Sequence, residues 1–307
     1  MKQKLLLEML SSTILELRAN GQWGTAHVYR SARNSFSAFN DDKDVPFCKL
    51  NPNLLKRFEI YLRQRRCSWN TVSTYMKVLR AVYNRAVVRK LVPFVPHLFR
   101  EVFTGRKADH RRVLERDDMR QLLAEKDLDI ISPGMEWARA CLELMFRFHG
   151  MPFVDLAHLR KSDLKDGYLT LRRRKTGMPL SARVDSRAMQ LLERYRNRDD
   201  TSPYLLCFLD GSLEGMAAYR DYLRILRLLN SKLRALALWR KVQGKVTSYT
   251  ARHTWATAGK YCHIPIEIIS EGLGHASVTT TEGYMKGFGN SRMDRANKVI
   301  MNYIFES

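Results

Sequence analysis

Apolar residues recur every three or four positions through the first hundred residues, which is the spacing of one buried face of an α-helix. Asn51 followed by Pro52 is typical of a helix start, and Asn70 or Ser68 can cap another helix. Four amphipathic segments result, at residues 5–19, 27–39, 51–66 and 69–90. Because strands show a two-residue alternation instead, this pattern predicts a helical domain with little β-structure.

The chain has 307 residues, of which 45% are hydrophobic, and this is enough to bury two cores. Thr104 and Gly105, followed by a charged run, interrupt the helical pattern. We therefore predict a helical domain over residues 1–103, a linker over 104–112 and a second domain over 113–307.

One stretch of the second domain, at residues 166–184, has the composition of a β-hairpin. Lys175, Thr176 and Gly177 lie at or near its centre, as is typical of a turn. The other segments of this domain are helical in pattern. The predicted fold class is accordingly mainly α with a small β-sheet or hairpin, an α+β chain.

Positive charge is spread along the whole chain. Lys and Arg number 53 against 31 Asp and Glu, which gives a formal net charge of +22 and a pI near 10.0. Solubility requires far less, so a polyanion is the natural partner. Any single basic run can be an ordinary solvated face. Their recurrence predicts a protein that wraps around double-stranded DNA and loses affinity as salt rises.

No apolar run has the length needed to cross a bilayer, and the N-terminus lacks a signal peptide with a cleavage site. We expect no membrane partner and a cytoplasmic location. The five cysteines are odd in number and form no CxxC pair. This predicts reduced, mostly buried thiols and argues against a zinc site.

Three residues near the C-terminal end offer the chemistry that a phosphodiester requires. The guanidinium of Arg252 can hold two non-bridging oxygens, and the imidazole of His275 can donate to such an oxygen or move a proton. The hydroxyl of Tyr284 can act as a nucleophile and form a covalent phosphotyrosine. Each of them alone is more often a packing or surface residue. Their joint spacing, with His275 in a Gly-bounded turn after an apolar helix, favours catalysis.

These residues lie in ARHTWAT at 251–257, in LGHAS at 273–277 and at Tyr284, an order that resembles the tyrosine recombinase or phage-integrase family. The chain also resembles a subgroup of that family found in gut anaerobes and their mobile elements. The resemblance implies a helical, SAM-like core-binding domain followed by a catalytic domain. It also implies a site-specific DNA recombinase that works through a 3′-phosphotyrosyl intermediate, without a metal or nucleotide cofactor.

The resemblance assigns roles to residues of this chain. Tyr284 is the nucleophile, Arg252 stabilises the transition state and His275 contacts a non-bridging oxygen. Lys175, in the hairpin turn, protonates the leaving 5′ oxygen. His253 is interpreted as local structure beside Arg252. Basic residues of the helical domain and of the hairpin are expected to bind DNA: Arg63, Arg66, Lys77, Arg80, Arg172, Arg173 and Arg174.

Two positions depart from the family's pattern. Pro152 stands where the first catalytic arginine of a G-x-R-x-x-E motif is usual, although the acid is kept at Asp155. Arg147 is the preferred substitute, with His149 and the hairpin arginines as alternatives. Tyr249 stands where a histidine is usual. A phenol can donate a hydrogen bond to a phosphate, but it is a poor proton shuttle at neutral pH.

The resemblance further implies a homotetramer on paired DNA sites, accessory DNA-bending proteins as partners, and the bacterial nucleoid as location. We expect the C-terminal residues 295–307 to pack on a neighbouring protomer. The start of the helical bundle near residue 1 favours targets without distant arm sites. Two alternatives stay open: a DNA-binding protein that has lost the chemistry, and a relaxing enzyme of the type IB topoisomerase class. The sequence indicates neither the target site nor the choice among integration, excision and inversion.

Overall fold

The computed structural model describes residues 5–107, 113–126, 129–275, 277–285, 287 and 297. The chain divides into two compact units, Met1–Lys107 and Ala108–Ser307. Each unit has a hydrophobic core of its own. The division falls inside the predicted linker at 104–112. The C-terminal residues 295–307, which were expected to contact a neighbouring protomer, lie outside the described residues except for Asn297.

The first unit is helical, as the apolar spacing predicts. Its α-helices are α1 (Leu6–Ala19), α2 (Trp23–Phe39), α3 (Pro52–Gln64) and α4 (Trp69–Val88). Short polar side chains begin the last two helices. Asn51 accepts a hydrogen bond from the amide of Leu54 at 2.9 Å, and Ser68 accepts one from the amide of Thr71 at 3.1 Å. These caps satisfy amides that have no partner within the helix.

Aromatic side chains fill the core of the first unit. Phe36 and Phe58 are fully buried, and their rings meet edge to face with centroids 5.0 Å apart. The segment after α4 is anchored on the same unit. The amide of Phe103 donates to the carboxylate of Glu59 at 2.6 Å, and the hydroxyl of Ser73 donates to the carbonyl of Gly105 at 2.6 Å. The start of the predicted linker is therefore tied to the helical unit.

The second unit is built around one buried helix. Its described α-helices are α5 (Arg116–Leu123), α6 (Pro133–Arg147), α7 (Phe153–Ala157), α8 (Ser186–Arg194), α9 (Gly215–Trp239), α10 (Thr250–Tyr261), α11 (Ile266–Gly272) and α12 (Val278–Glu282). Helix α6 packs against α9 and α10, and its residues Cys141, Leu142 and Met145 are fully buried. Burial raises the pKa of the Cys141 thiol well above its usual range.

A small antiparallel sheet completes the second unit. Its strands lie in the order β1 (Leu164–Lys165), β2 (Tyr168–Arg172) and β3 (Pro179–Arg183). The register pairs Tyr168 with Arg183 and Arg172 with Pro179. Alternate residues of β2 and β3 face the core: Leu169, Leu180 and Ala182. The predicted hairpin and the mainly α class with a small sheet are thus confirmed.

The cysteines differ in their surroundings. All five are free thiols, but the expectation that most are buried is wrong. Cys141 is buried and Cys67 is half-buried, whereas three are exposed: Cys48, Cys207 and Cys262. In the part of the chain that the structure describes, no helix is both long and apolar enough to cross a membrane.

Candidate active site

Three short helices near the end of the chain bring Arg252, His275 and Tyr284 together. Arg252 lies in the first turn of α10, His275 follows α11 and Tyr284 follows α12. A small apolar cluster holds these helices against one another: Ala256, Ile269, Leu273 and Met285. The apolar helix and the Gly-bounded turn that the sequence predicts therefore position the three residues.

The side chain of Arg252 is buried, with the residue only 4% exposed. Its guanidinium donates to the carbonyl oxygen of Gly150 at 3.0 Å and to that of Leu273 at 2.7 Å. Burial lowers the pKa of Arg252 to about 10, with a smaller contribution from the charge of Arg173, while Tyr284 acts in the opposite direction. Glycine is required at position 150, because φ is +66° and a Cβ would lie 2.9 Å from the Cα of Arg252.

His275 forms a bridge between Arg252 and Thr281. Its Nε2 lies 2.7 Å from Nη2 of Arg252, and Nε2 must be the acceptor because a guanidinium can only donate. Nδ1 therefore carries the proton and donates it to the hydroxyl of Thr281 at 2.8 Å. These two contacts fix the imidazole as the neutral tautomer with its proton on Nδ1.

The ring of Tyr284 lies among two imidazoles and a guanidinium. Its centroid is 4.7 Å from the ring of His253, 5.1 Å from the ring of His275 and 5.3 Å from the guanidinium carbon of Arg252. Against the effect of burial, Tyr284 also acts to raise the pKa of Arg252. A phenol, a cation and an imidazole thus share one site.

His253 holds the backbone of Tyr284. Its Nδ1 donates to the carbonyl oxygen of Tyr284 at 3.2 Å, and the residue is 5% exposed. The interpretation of His253 as local structure misses this contact, which spans 31 residues of sequence. Its place next to Arg252, on the helix that carries the site, is the signal that could have suggested it.

A second buried guanidinium, that of Arg173, lies beside Arg252. Arg173 follows strand β2 and is 6% exposed. Its Nε donates to the carboxylate of Asp155 at 2.8 Å, and its Nη1 donates to the carbonyl of Leu273. Arg252 donates to the same carbonyl. Sequence reasoning places Arg173 among the DNA contacts of the hairpin and names the hairpin arginines only as an alternative to Arg147, whereas the structure places Arg173 beside Arg252.

Two further predicted site residues, Lys175 and Tyr249, lie close in sequence to members of the cluster. Lys175 is exposed in the turn between β2 and β3, two residues after Arg173. Within the described residues, no hydrogen bond joins Lys175 to the cluster. Tyr249 precedes α10 and is 43% exposed, with its ring centroid 6.5 Å from that of His253.

The structure does not bring Arg147 to the cluster. Arg147 ends α6, where it pairs with Glu143 at 2.9 Å and with Asp185 at 2.7 Å. The guanidinium of Arg147 is therefore already engaged with two carboxylates. His149, the other local candidate, has its ring 5.6 Å from that of Trp255. Burial lowers the pKa of His149, so it is neutral at pH 7 and cannot replace a guanidinium.

The other expected DNA-binding residues are at least partly exposed on their own units: Arg63, Arg66, Lys77, Arg80, Arg172 and Arg174. The guanidinium carbon of Arg63 lies 4.6 Å from the ring of Trp69, which holds this side chain at the N-terminal end of α4. Arg172 donates to the carbonyl of Gly177 at 3.2 Å, across the hairpin turn. These cations are placed where a polyanion can reach them.

Comparison with known families covers both units. The Phage integrase SAM-like domain matches residues 5–99, and the Phage integrase family matches residues 112–288. The chain is also similar to the tyrosine recombinase XerA of Pyrococcus furiosus, with 31% identity over 140 residues. That match covers 45% of this chain and 46% of the relative, so the chain spans about half the length of the curated relative that it matches.

Solved structures share the fold at low identity. A lambda integrase dimer bound to a COC′ core site has a TM-score of 0.67 at 17% identity, covering 94% of this chain and 97% of that chain. A lambda integrase tetramer bound to a Holliday junction has a TM-score of 0.63 at 16% identity, covering 93% and 78%. The XerH site-specific recombinase, in a post-cleavage complex with a palindromic difH substrate, has a TM-score of 0.67 at 16% identity, covering 90% and 79%.

Proposed function

Because the chain belongs to the phage integrase family of tyrosine recombinases, we propose that it is a site-specific recombinase that cuts and rejoins double-stranded DNA. The observation that carries this proposal is the convergence of Tyr284, Arg252 and His275 in one cluster, in which Arg252 is buried and the other two are half-buried. A nucleophile, a cation and a proton carrier meet there from three different helices. A protein that only binds DNA has no need of this arrangement.

The reaction proposed for Tyr284 is a transesterification. The phenol oxygen attacks the scissile phosphorus and the bond from phosphorus to O5′ breaks, which leaves a 3′-phosphotyrosine and a free 5′ hydroxyl. Lys175 is the proposed general acid, because an ammonium can give its proton to the departing O5′. The tyrosyl linkage keeps the bond energy, so a 5′ hydroxyl from a partner strand can reverse the attack and join the strands.

The phenol proton has a nearby acceptor in His275. The guanidinium of Arg252 lies over the ring of Tyr284 and donates to Nε2 of His275, so the two groups meet at one guanidinium. When a phosphate takes over the hydrogen bond that Arg252 donates to His275, Nε2 is released to accept the phenol proton. The imidazolium that results donates to a non-bridging oxygen. His275 thereby supplies the proton transfer for which Tyr249 is poorly suited.

Arg252 stabilises the charge that builds up on the non-bridging oxygens. The group is held by the carbonyls of Gly150 and Leu273, so its geometry is fixed before substrate binds. Preorganised donors of this kind are worth roughly 10²- to 10³-fold in rate. Among the described residues, no carboxylate forms an ion pair with Arg252. A bound phosphate would provide the opposite charge.

The proposed partners are double-stranded DNA and further copies of the chain. The net charge of +22 and the exposed basic residues of both units support tight, salt-sensitive DNA binding. The lambda integrase tetramer bound to a Holliday junction supports a tetramer on two paired sites. The substrate places the protein in the bacterial cytoplasm, on the nucleoid. Accessory DNA-bending proteins fit this proposal as further partners.

Covalent trapping tests the proposed function. The protein and its Tyr284→Phe variant are incubated with nicked duplexes drawn from DNA that flanks its own gene, so that the short cleaved strand diffuses away and the adduct accumulates. We expect an SDS-resistant adduct that requires Tyr284. Tight binding to the same DNA without an adduct would instead indicate a DNA-binding protein without chemistry.

A second assay separates recombination from simple relaxation. A plasmid that carries two copies of the cleaved site should yield excised or inverted products. Relaxation of a plasmid with a single copy, without products from the paired sites, would indicate a relaxing enzyme of the type IB topoisomerase class.

A further inference from the structure

Helix α7 begins directly after Pro152, at the position where the family's pattern has a catalytic arginine. Pro152 precedes α7, and its side chain carries no hydrogen-bond donor. A phosphodiester under attack carries negative charge on two non-bridging oxygens, and Arg252 alone offers one guanidinium. A second cation is therefore needed close to α7.

Arg173 meets this requirement by position. It pairs with Asp155, which lies on α7 three residues after Pro152, with 2.8 Å between Nε and the carboxylate oxygen. It shares the carbonyl of Leu273 with Arg252, so the two guanidinium groups converge on one point. Both residues are at most 6% exposed.

The backbone near His275 leaves room for this side chain. Gly274 has φ of +61°, and a Cβ at this position would lie 2.6 Å from Nη1 of Arg173. The close approach explains why a glycine precedes the histidine. It also shows that the turn carrying His275 is shaped around the guanidinium of Arg173.

Asp155 orients Arg173 in two ways. One carboxylate oxygen accepts from Nε of Arg173, and the other accepts from the backbone amide of Arg174 at 3.0 Å. The residue is 2% exposed, so both contacts are shielded from water. Because Asp155 binds Nε, the two terminal nitrogens of Arg173 point to other acceptors.

The charges of the cluster favour an anion. Arg173 and Arg252 are two buried cations, and Asp155 is the carboxylate that pairs with one of them. Like charges held together at low exposure are unfavourable until an anion binds between them. The charge of Arg173 is one cause of the lowered pKa of Arg252.

We infer that Arg173 is the second phosphate-binding arginine of the active site, delivered by the β2–β3 turn and oriented by Asp155. It takes the place of the arginine that is missing at Pro152. This inference rests on the proposed function and names a catalytic residue for it. Of the three consecutive arginines at 172–174, Arg173 alone is buried, and Arg147 is engaged with both Glu143 and Asp185.

The test uses a scissile phosphate in which a methyl group replaces one non-bridging oxygen. This methylphosphonate is neutral, so it removes the charge that the arginine would stabilise. With ordinary DNA we expect Arg173→Ala to lower the rate of adduct formation by roughly 10²- to 10³-fold. With the methylphosphonate we expect the variant to come within about tenfold of the unchanged protein, because one missing cation matches one missing charge.

Arg183→Ala is the matched control, since Arg183 lies exposed on β3 of the same hairpin. It should leave both rates unchanged. DNA affinity and thermal unfolding of Arg173→Ala are measured alongside, because loss of a buried ion pair can destabilise the fold. Asp155→Asn should show a smaller loss on ordinary DNA and a partial rescue by the methylphosphonate.

The outcomes separate this inference from the proposed function. If the unchanged protein forms no adduct with any DNA, both are overturned. If it forms the adduct and Arg173→Ala does so at the same rate, only the role of Arg173 is overturned. The same holds if Arg173→Ala binds DNA and is folded, but is equally slow on both phosphates.

Discussion

The two sides of the candidate site are built by different means. On the helical side, formed by α10 to α12, Tyr284 and His275 are positioned by hydrogen bonds and a small apolar cluster. On the hairpin side, formed by α7 and the β2–β3 turn, Arg173 is positioned by a buried ion pair with Asp155. It also fills the space that Gly274 leaves by having no side chain.

This difference assigns different tasks to the two sides. Under the proposed function, the helical side holds the nucleophile and the group that moves its proton, and both tasks depend on alignment. The hairpin side would add one cation for the non-bridging oxygens and one for the leaving group. Substitutions of Arg173 or Lys175 should therefore be rescued by changes in substrate charge or leaving group, whereas those that misalign Tyr284 or His275 should not. Arg252 lies on the helical side but is proposed to act on charge, so its loss should respond like that of Arg173.

The largest effect after loss of the nucleophile is expected at Lys175. If its ammonium protonates O5′, then Lys175→Ala should slow cleavage by roughly 10²- to 10⁴-fold. A substrate with sulfur in place of O5′ should restore the rate, because a thiolate leaves without needing a proton. Adduct formation in single-turnover assays measures both rates.

Arg183→Ala, from the same hairpin, is the control for Lys175 and should respond to neither change. Equal slowing of Lys175→Ala on the oxygen and sulfur substrates would contradict the general-acid role. It would leave Lys175 as a residue that binds DNA.

Gly274→Ala tests the packing that joins the two sides. The added Cβ would lie 2.6 Å from Nη1 of Arg173, so the guanidinium must shift. A displacement of about 1 Å can cost roughly 10²-fold in rate. We expect a loss of that size in adduct formation, with DNA affinity retained.

Gly167→Ala is the matched control for Gly274. Gly167 also has a positive φ, of +76°, but a Cβ there meets nothing within 4 Å. Both variants carry the same type of backbone strain, so the difference between them isolates the clash with Arg173. Equal activity of the two variants would show that the position of Arg173 does not matter.

Much of the helical side follows from the sequence. The apolar spacing and the glycine turn around His275 are local, so residues 251–284 predict the cluster that the structure shows. The hairpin side is different, because the pair of Asp155 and Arg173 joins two elements through tertiary packing. A run of arginines in a sequence resembles a solvated face. The alternation of side chains along a strand does not by itself show that Arg173 is buried.

The sequence around Arg147 contains a signal against its role in the site. Glu143 precedes it by four residues in a predicted helix, and this spacing favours an ion pair on one helix face. A guanidinium that contacts two carboxylates, as Arg147 does, is a weaker candidate for binding a phosphate than Arg173, which contacts one. The retained acid at Asp155 indicated that another residue supplies a cation there, because a buried carboxylate needs a cation and Pro152 provides none.

A smaller effect is expected at Thr281, on the helical side. Its hydroxyl accepts the Nδ1 proton of His275 and is buried. Thr281→Val keeps the shape of the side chain and removes the acceptor. We expect cleavage to slow about tenfold, which corresponds to the upper end of what one hydrogen bond contributes. Neither the methylphosphonate nor the sulfur substrate should restore this rate. Imidazole nitrogen NMR should show the Nδ1–H tautomer in the unchanged protein and a mixture in the variant.

Thr281→Ser retains a hydroxyl and is the control for Thr281→Val. It should keep both the tautomer and the rate. A rescue of Thr281→Val by either modified substrate would contradict the division of tasks between the two sides.

The smallest effect is expected where charge binds DNA without taking part in the chemistry. Lys77 is exposed on α4 of the first unit, so Lys77→Ala should lower the slope of log affinity against log salt by about one, with the cleavage rate at saturating DNA unchanged. Arg85 lies on the same helix but pairs with Glu16. Arg85→Gln should therefore leave the slope almost unchanged. A slower cleavage step in Lys77→Ala would mean that this cation of the first unit contributes to the chemistry, and the distinction between binding charge and catalytic charge would fail at that residue.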